Sequence, residues 1–238
     1  MSDIVTFTID GETVRARSGQ TIIEAADEAG VFIPRLCHQP ELVPHGSCRV
    51  CTVLINGRPA AACTQPVSEG MVVDNDTADL REHRKILIEM LFVEGNHFCM
   101  FCEKSGNCEL QALAYRFGIA APRFDYLFPE LPLDASHPQV FVDLNRCILC
   151  ARCVRASQEL DGKNVFGFVG RGPQKRLAFD SDGPLSETEL KASDEALNVC
   201  PVGALLKKRV GYRVPIGERL YDHEPIGSEI EARAAAKS

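Results

Sequence analysis

Eleven cysteines, set in three groups along a chain of 238 residues, constrain this sequence more than any other feature. In the first group ten, two and eleven residues separate successive cysteines. The second group is a histidine followed by three cysteines, and the third is a Cys-x2-Cys-x2-Cys run with a distant Cys-Pro. The twelve residues are Cys37, Cys48, Cys51 and Cys63 in the first group, His97, Cys99, Cys102 and Cys108 in the second, and Cys147, Cys150, Cys153 and Cys200 in the third.

The setting of these thiols favours metal binding over disulfide bonds. The N-terminus MSDIVTFTID lacks the basic and apolar regions of a signal peptide, and no apolar run approaches the roughly 18 residues of a membrane span. We therefore expect a cytoplasmic protein, in which thiols are kept reduced. The net charge of −7, with Lys and Arg scattered along the chain, argues against nucleic acid as a partner.

The first cysteine group fits a [2Fe–2S] cluster, which needs four thiolates, two for each iron. Gly46, Ser47 and Gly57 suit a loop whose backbone approaches the cluster closely. The spacing differs from the plant-type C-x4-C-x2-C pattern, because ten residues rather than four follow Cys37. A four-cysteine zinc site is the alternative, although zinc ribbons usually contain two close Cys-x2-Cys pairs and this group contains one.

The second cysteine group supplies three thiolates in a short span, enough for three corners of a [4Fe–4S] cluster. His97 is the nearest candidate for the fourth ligand, since the chain has no spare cysteine. An imidazole in place of a thiolate removes a negative charge, which should raise the reduction potential of the cluster. The alternative is that His97 is a solvent-exposed loop residue.

The third cysteine group is the half-motif of bacterial ferredoxins, in which a remote Cys-Pro supplies the fourth thiolate. In two-cluster ferredoxins a further cysteine follows four positions after the third, and here that position is Ser157. One [4Fe–4S] cluster is therefore expected in this region. The three groups together use all eleven cysteines and one histidine, which gives four ligands to each of three clusters.

Periodicity and turn signals predict an α+β chain of three small domains and a tail. Two hairpin turns, and a helix that ends before Gly30, predict a compact first unit. Helical spacing over about 80–93 and 109–117 surrounds the second cysteine group. The tail beyond Gly211 has no core pattern, so we expect it to lie on a partner or to be partly disordered. The predicted boundaries are 1–78, 79–120, 121–210 and 211–238.

The order of the three groups resembles the N-terminal region of the large iron–sulfur subunit of respiratory complex I, and that of iron-only hydrogenases. The matching segments are GNHFCMFCEKSGNCELQ at 95–111 and RCILCARCVR at 146–155. Those relatives continue into further domains, whereas this chain ends soon after Cys200. In this respect, and in its tail GYRVPIGERLYD, it resembles the diaphorase small subunit of NAD-reducing soluble [NiFe]-hydrogenases. One difference is that Phe98 alone separates the histidine from the first cysteine, where the wider family usually has three residues.

This resemblance implies a fold and a role. The fold would be a β-grasp [2Fe–2S] ferredoxin-like domain, a helical module for the histidine-ligated cluster and a ferredoxin-like [4Fe–4S] domain. The chain would relay electrons through one [2Fe–2S] and two [4Fe–4S] clusters, between the [NiFe]-hydrogenase small and large subunits and a flavin- and NAD-binding diaphorase subunit. The alternatives are the same relay in an NAD-dependent formate dehydrogenase or a complex I-like module, and metals that serve only as folding staples.

Other residues near the cysteines support weaker expectations. No credible dinucleotide-binding motif is present, so we do not expect NAD or flavin to bind this chain itself. His38 and His45 are expected to surround the ligands or to be solvated, rather than to be catalytic. Lys104, Arg152 and Arg155 flank the cysteines, and either tune the clusters through charge and hydrogen bonds or are simply solvated.

Overall fold

A computed structural model describes residues 4–180 and 183–235. Residues 1–3 of the predicted first domain, 181–182 of the third and 236–238 of the predicted tail lie outside the described residues. The strands are β1 (Ile4–Ile9), β2 (Glu12–Arg17), β3 (Thr52–Ile55), β4 (Arg58–Ala61), β5 (Val72–Asp74), β6 (Leu133–Asp134), β7 (Val140–Asp143), β8 (Phe166–Val169), β9 (Arg176–Phe179) and β10 (Leu205–Lys207). The helices are α1 (Ile22–Ala29), α2 (Ala78–Val93), α3 (Glu109–Arg116), α4 (Arg152–Glu159), α5 (Glu195–Asn198) and α6 (Ser228–Ala235).

The first unit is a mixed five-stranded sheet with the order β2-β1-β5-β3-β4, against which α1 packs. Strand β1 is parallel to β5, and the other neighbouring pairs are antiparallel. Helix α1 begins at a capping box, in which the Thr21 hydroxyl accepts from the Glu24 amide and the Glu24 carboxylate accepts from the Thr21 amide. It ends at Gly30, whose φ of 83° is the left-handed conformation of a helix C-cap. The predicted β-grasp fold is confirmed.

The core of this unit is made by alternate residues of the strands and one face of α1. Phe7 and Ile9 of β1 lie against Ile22 and Ile23 of α1, and all four side chains are almost fully buried. Burying a side chain of this size contributes about 1.5–3 kcal/mol relative to leaving it exposed. The loops that carry the first cysteine group therefore extend from a well-packed sheet.

A second hydrophobic core holds together the elements that follow the first unit. It contains residues from α2, α3 and α4 and from an antiparallel three-stranded sheet with the order β10-β7-β6. Strands β8 and β9 pair as a separate hairpin beside it. Phe32 and Leu36 enter this core from the first unit, and Ile226 and Ile230 enter it from the tail. The second and third cysteine groups therefore share one packed body.

The described part of the tail packs on this chain itself, which the sequence did not predict. Residues 211–227 cross the loop of the second cysteine group, and α6 then packs against α1. Few apolar residues of the tail are buried, and hydrogen bonds and close glycine contacts provide most of its attachment, so the hydrophobic pattern contained little signal. Over residues 4–180 and 183–235, no helix is both long and apolar enough to cross a membrane.

Candidate iron–sulfur sites

The first cysteine group converges at the edge of the β-grasp sheet. Cys51 ends the long loop just before β3, and Cys63 follows β4, so the hairpin brings their Sγ atoms to 3.4 Å. The Cys37 amide donates to Cys48 Sγ at 3.4 Å, and the Cys48 amide donates to Cys37 Sγ at 3.5 Å. The loop turns at Arg49, which has a positive φ of 59°. All four cysteines are free thiols.

The closeness of these thiols changes their acidity. The pKa of Cys37 is lowered, mainly by hydrogen bonds from Cys48 and Cys63. The hydrogen bond from Cys63 lowers the pKa of Cys51 to about 7. The pKa values of Cys48 and Cys63 are raised, because a neighbouring thiolate already accepts from them. Four closely placed thiols, three of them on buried cysteines, compete for protons in this way. They fit a positively charged iron core, which takes the place of the protons.

The second cysteine group lines one cavity between α2 and α3. Cys99 lies in a short 3-10 turn, and Cys108 is the N-cap of α3. Burial raises the pKa of Cys108 to about 12. Arg146, from the chain before the third cysteine group, lines the same cavity, and its Nη1 atom donates to Cys102 Sγ at 3.5 Å. The four candidate ligands His97, Cys99, Cys102 and Cys108 all face this cavity.

His97 lines this cavity, and its buried Nε2 atom has no hydrogen-bond partner among the described residues. Burial is the main cause that lowers the pKa of its imidazole to about 4, so the ring is neutral near pH 7. A hydrogen bond with the Leu91 backbone opposes this shift. A neutral histidine anchored to a backbone group, with its other ring nitrogen free, is the usual state of a metal-ligating histidine. The ring therefore fits the role of fourth ligand, despite its short spacing to Cys99.

Gly203 makes room for this second group. A Cβ atom added to Gly203 would lie 2.4 Å from Cys102 Sγ, closer than real side chains approach. Gly203 lines the cavity and comes from the segment after Cys200, which belongs to the third cysteine group. The two groups are therefore neighbours in space as well as in sequence.

The third cysteine group surrounds an apolar cavity. Cys147, Cys150, Cys153 and Cys200 line it together with leucine, valine, alanine, isoleucine and phenylalanine side chains. The loop curls because Leu149 and Ala151 have positive φ values of 52° and 60°. Burial raises the pKa of Cys147 to about 11 and that of Cys150 to about 12. Such thiols remain protonated unless a bound cation stabilises their thiolates, which is what an iron cluster supplies.

Two arginines beside the third group are buried rather than solvated at the surface. Arg152 is 2% exposed, and its guanidinium binds the Glu109 carboxylate through two hydrogen bonds of 2.6 Å. Arg155 donates to the backbone oxygens of Cys37 and Val43 in the first unit. Of the two alternatives, simple solvation therefore does not apply to either arginine, whereas Lys104 is partly exposed.

Arg84 is a buried residue that no feature of the sequence marks. The residue is 2% exposed, and its guanidinium donates to the backbone oxygens of Val50 and Thr52, on either side of Cys51. It lies in α2, among residues with ordinary helical spacing, so it carries no local signal. Of the two histidines near the first group, His38 is buried and His45 is exposed. Burial is the main cause that lowers the pKa of His38 to about 4.

The arrangement of these residues suits multi-iron clusters. Each cysteine group brings four candidate ligands to one place, and the third does so in apolar surroundings. When bound, iron–sulfur clusters accept and donate single electrons, and the protein residues hold them and set their potentials.

Three family models match consecutive regions of the chain. A 2Fe-2S iron–sulfur cluster binding domain matches residues 2–78, and an NADH-ubiquinone oxidoreductase-G iron–sulfur binding region matches residues 84–123. A ferredoxin-like domain of NADH-quinone oxidoreductase subunit 3 matches residues 137–206. The chain thus contains a [2Fe–2S] domain and [4Fe–4S] binding regions, and these features define an iron–sulfur electron-relay subunit of an oxidoreductase.

Comparison with whole proteins narrows this class. The chain is 41% identical to the gamma subunit of the NAD-reducing hydrogenase HoxS of Cupriavidus necator, over 93% of this chain and 95% of that protein. It is 48% identical, with a TM-score of 0.92, to a chain in a crystal structure of an NAD⁺-reducing [NiFe]-hydrogenase in the H2-reduced state, covering 97% of this chain and 98% of that one. The chain belongs to the family of the NAD-reducing hydrogenase gamma subunits.

A more distant relationship connects the chain to complex I. It is 35% identical to the mitochondrial 78 kDa subunit of NADH-ubiquinone oxidoreductase of Candida albicans, over 88% of this chain but only 29% of that protein. The corresponding 78 kDa subunit of Neurospora crassa shows the same pattern, with 33% identity over 88% of this chain and 28% of that protein. The expected resemblance to the large iron–sulfur subunit of complex I is therefore confirmed.

Proposed function

We propose that the chain holds one [2Fe–2S] cluster and two [4Fe–4S] clusters, each on one cysteine group. The first group would bind the two-iron cluster through four thiolates. The second would bind a four-iron cluster through His97 and three thiolates, and the third would bind one through four thiolates. The observation that carries this proposal is the buried Nε2 atom of His97, which finds no hydrogen-bond partner in the described part of the chain. His97 lines the same cavity as three cysteines.

We propose that the clusters relay electrons between a [NiFe]-hydrogenase module and a flavin- and NAD-binding diaphorase subunit. The names of the gamma subunit and of the matching crystal structure support this assembly, since both are NAD-reducing hydrogenases. No residue of the chain needs to be catalytic in this role, because its residues hold the clusters and exclude water. We keep the cytoplasm as the expected location and 1–78, 79–120, 121–210 and 211–238 as the proposed division of the chain.

The same relay in a complex I-like module is the second candidate. The identities of 35% and 33% to the 78 kDa subunits of NADH-ubiquinone oxidoreductase support it. The matched region is only 29% and 28% of those two proteins, whereas it is 95% of the hydrogenase gamma subunit. This difference favours the hydrogenase assembly.

The experiment that tests both parts is an anaerobic purification of the native complex that contains this chain. We expect about ten iron and ten sulfide per chain in the separated subunit, from one two-iron and two four-iron clusters. We also expect hydrogen-dependent reduction of NAD⁺ by the complex. About ten iron atoms per chain without that activity would indicate that the relay works in another complex. About six iron atoms per chain or fewer would contradict the cluster assignment.

Variants of single ligands assign each cluster. Cys51→Ser should remove the signal of the [2Fe–2S] cluster in electron paramagnetic resonance (EPR) spectra, and Cys150→Ser that of the cluster on the third group. His97→Ala should remove or convert the cluster on the second group, and His45→Ala is the matched control because His45 is exposed. Full iron content and unchanged spectra in the His97→Ala variant would refute its role as a ligand.

A further inference from the structure

Residues 211–235, which we call the C-terminal strap, lie directly on the loop of the second cysteine group. This loop, residues 101–108, carries Cys102 and Cys108. Four hydrogen bonds join the strap to it, and all of them involve a backbone atom. They run from Tyr212 Oη to the Phe101 oxygen at 2.6 Å, from Arg219 Nη1 to the Ser105 oxygen at 3.3 Å, from the Leu220 amide to Asn107 Oδ1 at 2.9 Å and from the Tyr221 amide to the Gly106 oxygen at 3.0 Å.

Glycines allow the strap and the loop to touch. A Cβ atom added to Gly106 would lie 2.2 Å from Arg219 Nε, and one added to Gly211 would lie 2.3 Å from Glu103 Cγ. Gly106 also has a φ of +79°, a conformation that other residues rarely adopt. The loop and the strap are therefore shaped to fit each other, with no space for a further side-chain atom at either contact.

Arg219 is braced within the strap itself. Its Nε atom lies 3.0 Å from Asp222 Oδ1, and its Nη2 atom lies 2.7 Å from the same oxygen. The Asp222 carboxylate also accepts from the Gly217 amide at 2.6 Å. The guanidinium is thus held in one position, from which it contacts Gly106 and the backbone of Ser105. A small closed turn, residues 217–222, therefore acts as a rigid support against the loop.

The far end of the strap is anchored on the first unit. A Cβ atom added to Gly227 would lie 2.3 Å from the Phe32 ring, and one added to Gly30 would lie 2.5 Å from the Ala234 amide nitrogen. Arg116 of α3 donates to the Ile226 oxygen at 2.8 Å and forms an ion pair with Glu231. The strap is consequently fixed to α1, α3 and the ligand loop at the same time.

The ligand loop has little packing of its own. Its start is a single 3-10 turn, and Phe98, Met100 and Phe101 around it are 64%, 87% and 73% exposed. Of residues 101–108, only Cys102 is buried. A segment with few buried apolar contacts opens locally more easily than the rest of a fold. The strap therefore provides much of the support that the loop lacks.

We propose that the C-terminal strap is a positioning element for the second cluster, and that Arg219 is its principal positioning residue. The strap holds the loop in the conformation that presents Cys102 and Cys108 beside His97. Loss of this support opens the loop and exposes the second cluster, while the first and third clusters stay in place. This inference rests on the proposed ligand role of the second cysteine group.

The test is Arg219→Ala in the full-length chain within its purified complex, challenged anaerobically with an iron chelator. We expect four of about ten iron atoms to leave in a separate phase, at least about tenfold faster than in the wild type, because the loop opens more often. In EPR spectra of the reduced complex, the signal of the second cluster should decay in that phase while the other signals persist. Arg219→Lys, which keeps the charge beside Asp222, should restore part of the protection.

Matched controls lie in the same strap. The side chains of Ile216 and Leu220 are 85% and 72% exposed, so Ile216→Ala and Leu220→Ala should release iron at the wild-type rate. If Arg219→Ala does not accumulate, Tyr212→Phe tests the same idea, since it removes only the hydroxyl that donates to Phe101. We expect that variant to release the four iron atoms about threefold faster, as fits the loss of one hydrogen bond.

The possible outcomes distinguish the role of the strap from the assignment of the ligands of the second cluster. Wild-type release rates in both Arg219→Ala and Tyr212→Phe would overturn the role of the strap and leave the three clusters intact. Simultaneous loss of all the iron would also overturn it, because the effect would then be global rather than local. A wild-type chain without a cluster on the second cysteine group would refute the proposed ligands themselves.

Discussion

Substitution of Arg84 by methionine tests whether a buried cation holds the loop of the first cysteine group. The guanidinium donates four hydrogen bonds, to the backbone oxygens of Val50, Thr52 and Asn75 and to the Asn75 side chain, over 2.8 to 3.2 Å. No ion pair is formed by Arg84 within the described part of the chain. Burial is the main cause that lowers its pKa to about 10, so it is charged at pH 7.

The expected loss of stability follows from these bonds. Methionine has a similar length but no donor, so four acceptors lose their partner, at about 1–3 kcal/mol for each buried group left unsatisfied. Part of this loss of stability, several kcal/mol, is offset because the variant no longer buries a charge. We therefore expect Arg84→Met to destabilise the protein by about 3 kcal/mol. For a chain of this size that corresponds to a decrease of about 6–12 °C in melting temperature.

The assay is anaerobic thermal unfolding of the cluster-loaded complex, followed by the visible absorption of the [2Fe–2S] cluster. Loss of the buried charge should also lower the midpoint potential of that cluster, by tens of mV as an order of magnitude. Arg81→Met is the control, since Arg81 is exposed and its guanidinium pairs with the exposed Asp76. A melting temperature within about 2 °C of the wild type, with an unchanged potential, would refute the reasoning.

Three further changes test other parts of the structure. Arg152→Met should destabilise the protein by about 3–5 kcal/mol in urea unfolding, because it leaves a partly buried carboxylate without its cation; a loss below about 1 kcal/mol would contradict this. Iron analysis of Gly203→Ala should show a loss of about four iron atoms per chain, because the added Cβ atom would collide with Cys102 Sγ. Gly167→Ala is the control and should keep its iron, because its added Cβ atom would have no described atom within 4 Å. Burial raises the pKa of Asp134, but hydrogen bonds from a serine and a backbone amide outweigh it and lower the pKa below its usual value. These bonds therefore stabilise the fold above the unfolded-state pKa, and the effect is lost as the pH falls through the folded-state pKa. Asp134→Asn should consequently be less stable than the wild type at pH 7, by a margin that shrinks as the pH falls below the unfolded-state pKa, and a difference independent of pH would exclude this cause.

Local signals explain how much could be predicted from the sequence. The cap of α1 is encoded within four residues at Thr21 and Glu24, and the helix end needs only Gly30. Much of the cysteine pattern is also local, because each group contains a Cys-x2-Cys pair, which is a spacing typical of cluster ligands. The distant Cys200 could be assigned because Pro201 follows it and because eleven cysteines and one histidine complete three sets of four ligands.

The features that sequence reasoning missed depend on contacts between distant residues. Arg84 lies 34 residues from Val50 and carries no local mark of burial. Arg155 could be singled out as a neighbour of Cys153, but its bond to Cys37, 118 residues away, could not be predicted. The attachment of the tail was missed because close contacts at glycines such as Gly106 have no hydrophobic period. A glycine in the sequence indicates a possible close approach of the backbone to another group, but only the fold identifies that group.

Helix α4 links all three cysteine groups through two side chains one turn apart. Arg155 binds the Cys37 oxygen of the first group, and Arg152 binds Glu109, which follows Cys108 of the second. Arg152 also contacts the Val199 oxygen, next to Cys200 of the third group. Buried guanidiniums bind in fixed directions, so these contacts set the positions of the three groups relative to one another. A relay needs such fixed separations, and here one helix that itself begins within the third group provides them.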